Sequence, residues 1–353
     1  MTDTGTPGWI DVDLTMPGTE YRALLEAALR LKSLPQQDKR VLLDGRAVYF
    51  MFFNQSLRTR SSFHTGLEKL GGHAVHLDPA NGIYTPALPG QEIPYATERV
   101  SDVARVLSQY GDAIAIRMYG EPAGWVYGGA NRFIHEFAKH ADIPVLNMEC
   151  DRFHPCQALA DAMTMHEHTG GDLRGRKLTI SWAYSGSWHK PVAVPQSALL
   201  SAAKLGMEIT LAHPPGFGLD PEVMAAAQGF AAESDATIRL THDFEDGLAG
   251  SELVYAKSWC SLDMLPADRS GTVDEAGMTA LFDKHRDWRV DERAMSLAAP
   301  GAAYLHCLPA DRDQEVTDAV IDGPGSLVFR QAANRMHAQN AVMTRLMNPA
   351  GMP

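Results

Sequence analysis

One short stretch concentrates groups that can hold an anion. The sequence FFNQSLRTRSSF, at residues 52–63, places arginine and hydroxyl side chains directly after an apolar run. If a helix begins near Leu57, the first backbone N–H groups lie at its N-terminus, where an anion is favoured. Arg58 adds a bidentate donor, and Ser56 and Thr59 add hydroxyl groups. The stretch predicts a phosphate site; alternatively, Ser56 is only an N-cap and the arginines lie on a solvated face.

Four later clusters contain residues of the same kind. Arg117 ends a predicted strand, where open α/β sheets place ligand-binding groups. His154 and Gln157 lie in HPCQ, after a strand and at the start of a helix. HCLP, at residues 306–309, again follows a strand, and NRMHAQ places Arg335 in the last helix. Each cluster alone is more often structural than functional, so the argument depends on their combination.

The elements that must position these groups alternate along the chain. Apolar runs predict strands and amphipathic segments predict helices, at the spacing of parallel sheets with helices on both faces. The sequence therefore predicts an α/β protein with two doubly wound parallel-sheet domains and a cleft between them. The domains are expected at residues 1–152 with the C-terminal helix 331–353, and at residues 153–330. The last predicted strand is SLVF, directly before that helix.

Composition excludes several classes of partner. The chain has 353 residues, 45% of them hydrophobic, and a formal net charge of −12, which disfavours nucleic acid and acidic membrane surfaces. No apolar run is long enough for a membrane span, and MTDTGTPGW does not resemble a signal peptide, so a cytoplasmic location is expected. The four cysteines form no CxxC pair, so neither a disulfide framework nor a zinc site is favoured.

Taken in this order, the motifs resemble the aspartate/ornithine carbamoyltransferase family. The resemblance covers roughly residues 40–347 and is carried by SLRTR, Arg117, HPCQ, HCLP and NRMH. It implies transfer of a carbamoyl group from carbamoyl phosphate to an amine by homotrimers. It also implies that the last helix packs back on the first domain, and that no metal or organic cofactor takes part.

The resemblance also implies a role for each motif residue. The catalytic residues are Arg58, Thr59, Arg117 and His154, of which the last three face the carbonyl oxygen, where charge develops. The wider carbamoyl phosphate site adds Ser56, Leu57, Gln157, Cys307, Leu308 and Arg335. Among these, Gln157 and the carbonyls of Cys307 and Leu308 bind the carbamoyl NH₂. The second substrate is expected to contact Tyr84, Glu149, Trp182, Lys257, Pro309 and Arg312.

Lys257 indicates which amine is the acceptor. Ornithine enzymes carry an aspartate at the corresponding position, whereas this chain reads VYAKSWCSLD. A lysine there repels a free α-ammonium and pairs with an α-carboxylate. The segment resembles the N-acetylornithine branch and its N-succinylornithine relative, which predicts an N-acylated ornithine and a place in arginine biosynthesis. The alternative for Lys257 itself is that it points into solvent.

Other features of the N-acylornithine branch are only partly present. Residues 78–94 are expected to form an irregular loop that reaches a neighbouring subunit, with Pro86 and Ala87 where N-acetyl enzymes carry an acyl-reading glutamate. Glu315 stands where some of those enzymes carry a carboxylated lysine. The segment at residues 182–197 resembles a loop that is knotted in that branch. The sequence leaves open the acyl group and whether this chain is knotted.

Three alternative functions compete with this interpretation. One is an ornithine carbamoyltransferase, or a family member that uses a different amine or a ureido substrate. The second is a catalytically silent regulatory relative, disfavoured because the phosphate- and carbamoyl-handling residues are present. The third is a nicotinamide dehydrogenase, excluded because no GxGxxG follows a predicted strand with an acidic residue about 20 positions later.

Overall fold

The computed structural model describes residues 8–79 and 81–353, which divide into two compact units. The first unit contains the described residues up to Val12, then Glu26–Cys156 and Met336–Pro353. The second unit contains Asp13–Leu25 and Gln157–Arg335. No helix in the described ranges combines the length and apolar character that crossing a membrane requires.

The first unit is built on a parallel sheet of four strands in the order β2, β1, β5, β6. The strands of this unit are β1 (Ala47–Phe52), β2 (His73–Leu77), β3 (Thr85–Ala87), β4 (Thr97–Arg99), β5 (Ala113–Arg117) and β6 (Val145–Glu149). All residues of β5 and β6 are buried, because helices cover both faces of a parallel sheet. This explains why both strands begin with apolar residues, and it means that Arg117, Asn147 and Glu149 are buried polar groups.

The helices before the second sheet follow the predicted alternation. They are α1 (Val12–Thr15), α2 (Gly18–Ser33), α3 (Gln36–Lys39), α4 (Leu57–Lys69), α5 (Val100–Leu107), α6 (Gly129–His140) and α7 (Pro155–Thr169). The helix predicted from Leu57 is confirmed as α4. It ends at Lys69, before the two glycines that the sequence places after it.

The second unit contains a five-stranded parallel sheet in the order β11, β10, β7, β8, β9. Its strands are β7 (Lys177–Trp182), β8 (Glu208–Ala212), β9 (Thr237–Thr241), β10 (Leu253–Lys257) and β11 (Ala303–Leu305). The remaining helices are α8 (Ala193–Lys204), α9 (Pro221–Ser234), α10 (Phe244–Leu248), α11 (Glu275–Asp283), α12 (Glu292–Leu297), α13 (Asp318–Ile321) and α14 (Val328–Met347). The fold class predicted from the sequence, two parallel-sheet α/β units, is thereby confirmed.

Two local predictions were wrong. The SLVF run does not form a strand, since Ser326 makes only one isolated bridge, to Tyr304, and Val328 already begins α14. A four-residue apolar run is equally compatible with the buried start of a helix. The segment at residues 78–94, predicted to be irregular, contains β3, which pairs in parallel with β4.

Helix α14 is divided between the two units. Its first two turns belong to the second unit, where Asn334 Nδ2 donates to Thr164 Oγ1 of α7 at 2.9 Å. Its later part belongs to the first unit, as expected for a helix that packs back on that domain. There Gly66 of α4 lies against the Asn340 side chain, and Asn348 Nδ2 donates to the Leu42 carbonyl at 2.8 Å. Along this part of the chain, the unit boundaries fall at residues 156 and 335.

Candidate active site

The start of α4 has the geometry that the sequence predicted. Ser56 is the N-cap, with extended backbone at φ −162° and ψ 115°, and its Oγ accepts a hydrogen bond from the Thr59 N–H at 3.2 Å. Leu57, the first helical residue, is 76% exposed, whereas Arg58 is half-buried. The N-cap role of Ser56 is therefore real. It satisfies one of the helix N-terminal donors and leaves the helix dipole in place.

The two arginines of SLRTR have different environments. Arg60 donates to the Asp78 carboxylate at 2.7 Å, and its guanidinium lies 4.5 Å from the centroid of the Phe52 ring. Arg60 therefore forms a partly exposed ion pair with Asp78. Arg58, two residues earlier, is half-buried at the start of α4.

Arg117, Glu149 and His154 form a buried cluster in the first unit. The Arg117 guanidinium contacts a Glu149 carboxylate oxygen, and the same oxygen lies 3.3 Å from His154 Nε2. Arg117 also donates to Thr59 Oγ1 at 3.3 Å and to the Tyr119 hydroxyl at 3.0 Å. The structure thus places two predicted catalytic residues, Arg117 and His154, on one carboxylate, and a third, Thr59, on Arg117.

Strand geometry explains how this cluster forms. Arg117 and Glu149 end the adjacent parallel strands β5 and β6, where a register shift pairs the two residues directly. Burial alone would lower the pKa of Arg117, but the Glu149 carboxylate and the Tyr119 hydroxyl raise it above its usual value. The arginine therefore stays charged. Glu149, predicted to contact the second substrate, holds two predicted catalytic side chains in this structure.

In the second unit, Gln157 belongs to a buried polar network. Its Nε2 donates to Asp161 Oδ1 at 2.7 Å, one helical turn further along α7. Gln331 Nε2 of α14 donates to the same Asp161 oxygen at 2.6 Å, and Gln331 Oε1 accepts from the His306 N–H at 2.9 Å. The network therefore connects HPCQ with HCLP within one unit.

The HCLP segment has an unusual backbone conformation. Leu308 has a positive φ of 57°, and the Leu308–Pro309 peptide bond is cis. The Leu308 N–H donates to His306 Nδ1 at 2.9 Å, so that ring nitrogen is an acceptor and Nε2 carries the hydrogen. His306 Nε2 lies 3.4 Å from the Glu315 carboxylate. Cys307 is buried and Pro309 is exposed.

Lys257 lies at the end of β10, close to a buried carboxylate. It is 8% exposed, and its Nζ donates to the Ser258 carbonyl at 3.1 Å. The next N–H, that of Ser258, donates to Glu315 Oε1 at 2.7 Å. Because the lysine is buried, the alternative that Lys257 points into solvent is wrong.

Glu315 is the centre of this second charge cluster. It is fully buried, its Oε2 accepts from the Asp311 N–H at 2.7 Å, and it lies 3.7 Å from Lys190 Nζ. Lys190 also pairs with the Asp311 carboxylate at 2.7 Å. Burial would raise the pKa of Glu315, but His306, Lys190 and Lys257 lower it well below its usual range. The carboxylate is therefore ionised at neutral pH.

Three predicted site residues lie outside these clusters, and a fourth, Arg335, is close enough to Asp161 for its charge to lower the pKa of that carboxyl. Trp182 is fully buried, and its Nε1 donates to the Trp259 carbonyl at 2.9 Å, which places the indole in the core of the second unit. Arg312 is exposed and forms a bidentate pair with Asp322, at 2.6 and 2.9 Å. Tyr84 is 57% exposed directly before β3, and Arg335 is buried in α14. No observation here connects Trp182, Arg312 or Tyr84 with a substrate.

The sequence analysis missed Lys190, Asp161 and Gln331. A signal existed for Asp161, since it follows Gln157 by four residues and so shares its helix face. Lys190 lies within SGSWHKP, which was considered only as a loop. Across the described ranges, no group of three or more histidine, cysteine, aspartate or glutamate side chains has the arrangement of a metal site.

The protein consists of two α/β units with parallel sheets. In each unit, cationic side chains lie around a buried carboxylate near the strand ends. This arrangement suits small anionic substrates. The profile "Aspartate/ornithine carbamoyltransferase, carbamoyl-P binding domain" matches residues 13–167. The profile "Aspartate/ornithine carbamoyltransferase, Asp/Orn binding domain" matches residues 179–346. The chain belongs to the aspartate/ornithine carbamoyltransferase family.

Individual relatives come from two branches of the family. The chain is 38% identical over 310 residues to N-acetylornithine carbamoyltransferase of Xylella fastidiosa (strain 9a5c), covering 86% of this chain and 89% of the relative. It is 35% identical over 341 residues to ornithine carbamoyltransferase of Parafrankia sp. (strain EAN1pec), covering 96% and 95%.

Solved structures of similar proteins come from the N-acetylornithine branch. Acetylornithine transcarbamylase complexed with acetylcitrulline is similar with a TM-score of 0.88 at 34% identity, over 97% of this chain and 99% of that chain. A point mutant of N-acetyl-L-ornithine transcarbamylase, complexed with carbamyl phosphate and N-succinyl-L-norvaline, also has a TM-score of 0.88 at 34% identity. That match covers 96% of this chain and 99% of the other.

Proposed function

We propose that this chain transfers the carbamoyl group of carbamoyl phosphate to the side-chain amine of an N-acylated ornithine, N-acetyl- or N-succinyl-L-ornithine. The observation that carries the choice of acceptor is Lys257, which is buried at a strand end beside the ionised Glu315. A buried lysine at this position favours a substrate carboxylate and disfavours a free α-ammonium. The similarity to enzymes named for N-acetylornithine supports the same acceptor.

The first unit supports binding of carbamoyl phosphate. Phosphate would be held by the start of α4, through Ser56, the Leu57 N–H, Arg58 and Thr59. The contribution of Arg335 stays a prediction. Thr59, Arg117 and His154 would donate to the carbonyl oxygen. Because Glu149 contacts both Arg117 and His154, these donors are fixed before the substrate arrives. Donors arranged in advance around a developing negative charge lower the barrier by a few kcal/mol each.

The chemistry needs no separate base. The uncharged amine attacks the carbonyl carbon, a C–N bond forms, and negative charge collects on the carbonyl oxygen. The C–O bond to phosphate then breaks, and its electron pair leaves with the phosphate group. The departing phosphate takes up the amine proton. The residues of this chain therefore bind, orient and stabilise charge.

The acceptor site is proposed in the second unit. Lys257 would pair with the substrate α-carboxylate, and Glu315, Lys190 and the Ser258 N–H hold the segment that carries it. Pro309 follows the HCLP carbonyls and lies exposed, next to the groups proposed for the carbamoyl NH₂. The contributions of Tyr84, Trp182 and Arg312 stay predictions.

We further propose a cytoplasmic homotrimer that serves arginine biosynthesis. The exposed Tyr84, directly before β3, would complete the site of a neighbouring subunit. Mixing a variant that lacks residues 81–90 with Arg58→Ala should restore some activity through hybrid trimers. Hybrids that form and stay inactive would contradict this role of the segment.

An amine panel tests the proposed function. The purified chain would be mixed with carbamoyl phosphate and with ornithine, its N-acetyl and N-succinyl derivatives, aspartate, putrescine or ureido precursors. Phosphate release and the carbamoylated product would both be measured. We expect an N-acylornithine to give a kcat/KM at least about tenfold above that of ornithine, which corresponds to roughly 1.4 kcal/mol. A preference for free ornithine would contradict the acceptor, and no transfer to any amine would indicate a silent relative.

A further inference from the structure

Gln157 presents a buried acceptor atom that nothing in the described chain satisfies. The side chain is 1% exposed, and its Oε1 lacks a hydrogen-bond partner among the described residues. A buried carbonyl oxygen without a donor is destabilising, because it has given up its hydrogen bonds to water. Such an atom at a proposed substrate-binding residue indicates that a ligand donor completes it.

Asp161 determines which atom of the Gln157 amide has no hydrogen-bond partner among the described residues. Burial raises the pKa of Asp161 to about 6, although hydrogen bonds from Gln157 and Gln331 oppose the rise. The side chain is therefore an ionised carboxylate at neutral pH, and it can only accept hydrogen bonds. Gln157 must turn its NH₂ toward Asp161, 2.7 Å away, and this leaves Oε1 for another donor.

Gln331 is fixed by the same reasoning and extends the network to HCLP. Its NH₂ donates to Asp161 Oδ1 at 2.6 Å, and its oxygen accepts from the His306 N–H at 2.9 Å. A carboxylate accepts and a backbone N–H donates, so only one orientation of this amide satisfies both neighbours. Gln331 thereby ties the backbone that precedes Cys307 and Leu308 to the carboxylate that orients Gln157.

We propose that Asp161 and Gln331 are positioning residues that make the site select the carbamoyl NH₂ over a methyl group. They hold Gln157 Oε1 and the HCLP carbonyl oxygens so that each of these atoms can accept a hydrogen bond. An NH₂ group on the ligand can donate to them, whereas a methyl group cannot. This inference rests on the proposed function, because it takes carbamoyl phosphate as the ligand of Gln157. It adds that neither positioning residue needs to touch the substrate.

The test compares dissociation constants for carbamoyl phosphate, acetyl phosphate and inorganic phosphate. Asp161→Leu removes the acceptor and frees the Gln157 amide to rotate, whereas Asp161→Asn retains an oxygen where both amides donate. For Asp161→Leu we expect the ratio of the acetyl phosphate Kd to the carbamoyl phosphate Kd to fall about tenfold, the value of one or two hydrogen bonds. Inorganic phosphate should bind as before, and Asp161→Asn should restore most of the ratio.

Two further variants separate positioning from general damage. Thr164→Val removes a buried hydroxyl on the same pair of helices, one turn beyond Asp161, and should leave the ratio unchanged. Gln331→Met keeps the contact between Gln157 and Asp161 while cutting the tie to His306. It should lower the ratio by a smaller factor, and it provides the test if Asp161→Leu does not fold.

The outcomes distinguish this inference from the proposed function. A wild-type protein that does not prefer carbamoyl over acetyl phosphate would overturn the proposed function itself. A wild-type protein with that preference, together with Asp161→Leu or Gln331→Met variants that keep the full ratio, would overturn only the positioning role. Equal weakening of all three ligands would also overturn it, because it would show a purely structural effect.

Discussion

Glu315→Gln tests the charge cluster on which the proposed acceptor site depends. The wild-type carboxylate accepts two backbone hydrogen bonds, from Ser258 and Asp311, both at 2.7 Å. It also lies 3.7 Å from Lys190 Nζ and 3.4 Å from His306 Nε2, with no exposure to solvent. A glutamine has nearly the same shape but only one acceptor atom and no charge.

The expected loss of stability follows from these contacts. One backbone N–H must face the new NH₂ group and loses its acceptor, which costs about 1–3 kcal/mol. Removing one partner of a buried ion pair costs about 3–5 kcal/mol, and Asp311 beside Lys190 places this case at the lower end. Together these give about 4–6 kcal/mol. A unit of this size loses about 2–4 °C of Tm per kcal/mol, so Tm should fall by roughly 10–20 °C.

Calorimetry at pH 7 measures the effect against a matched exposed pair. Glu245 pairs with Arg293 at 2.5 Å, but the two side chains are 53% and 76% exposed. Glu245→Gln should therefore change Tm by about 2 °C at most, since exposed ion pairs contribute about 0–1 kcal/mol. If Glu315→Gln melts within 2 °C of the wild type, Glu315 does not hold the cluster together, and the argument for a fixed Lys257 fails with it.

Three other predictions follow from single residues. Arg58→Ala should lower kcat/KM at least about a hundredfold without changing the melting curve, because the arginine binds phosphate and does not support the core. Near-normal turnover would exclude the phosphate site proposed at the start of α4. Lys257→Asp should lower the preference for N-acetylornithine over ornithine, measured as a ratio of kcat/KM values, and an unchanged ratio would contradict the α-carboxylate contact. Burial lowers the pKa of Lys204 from 10.5 to about 8. Between these two pH values the unfolded chain binds more protons, so the free energy of unfolding of the wild type should rise with pH. Denaturant titrations of Lys204→Met should show a smaller rise.

The strands and helices were largely predictable because their signals are local. The strand β1 is mostly buried and reads as an unbroken apolar run, and Ser56 marks the start of α4 as an N-cap residue. The meeting of Arg117 with Thr59 was also predictable, since side chains at the ends of parallel strands share one edge of a sheet. The SLVF error shows the limit, because four apolar residues do not distinguish a strand from the start of a helix.

Partners determined by register or by distant segments were not predictable. Glu149 reads as a substrate ligand at a strand end, and only the register shift between β5 and β6 shows that it pairs with Arg117. Arg312 was assigned to the site from its closeness to HCLP in sequence, yet Asp322, ten residues later, binds its guanidinium. Burial of Trp182 depends on aromatic neighbours far away in the chain, such as Phe217 and Phe282.

In each unit, one buried carboxylate lies beside the cationic groups of the proposed site. A protein with a net charge of −12 can hold anionic substrates only where cations are concentrated locally, and buried cations without counter-ions would destabilise the fold. Glu149 is the counter-ion of Arg117 and contacts His154, and Glu315 lies near the Lys190 ammonium and contacts the HCLP histidine. Because these carboxylates also fix the rotamers of their partners, the substrate meets donors whose positions are already set. Binding then depends on how well those positions match the transition state, and little on overall attraction between opposite charges.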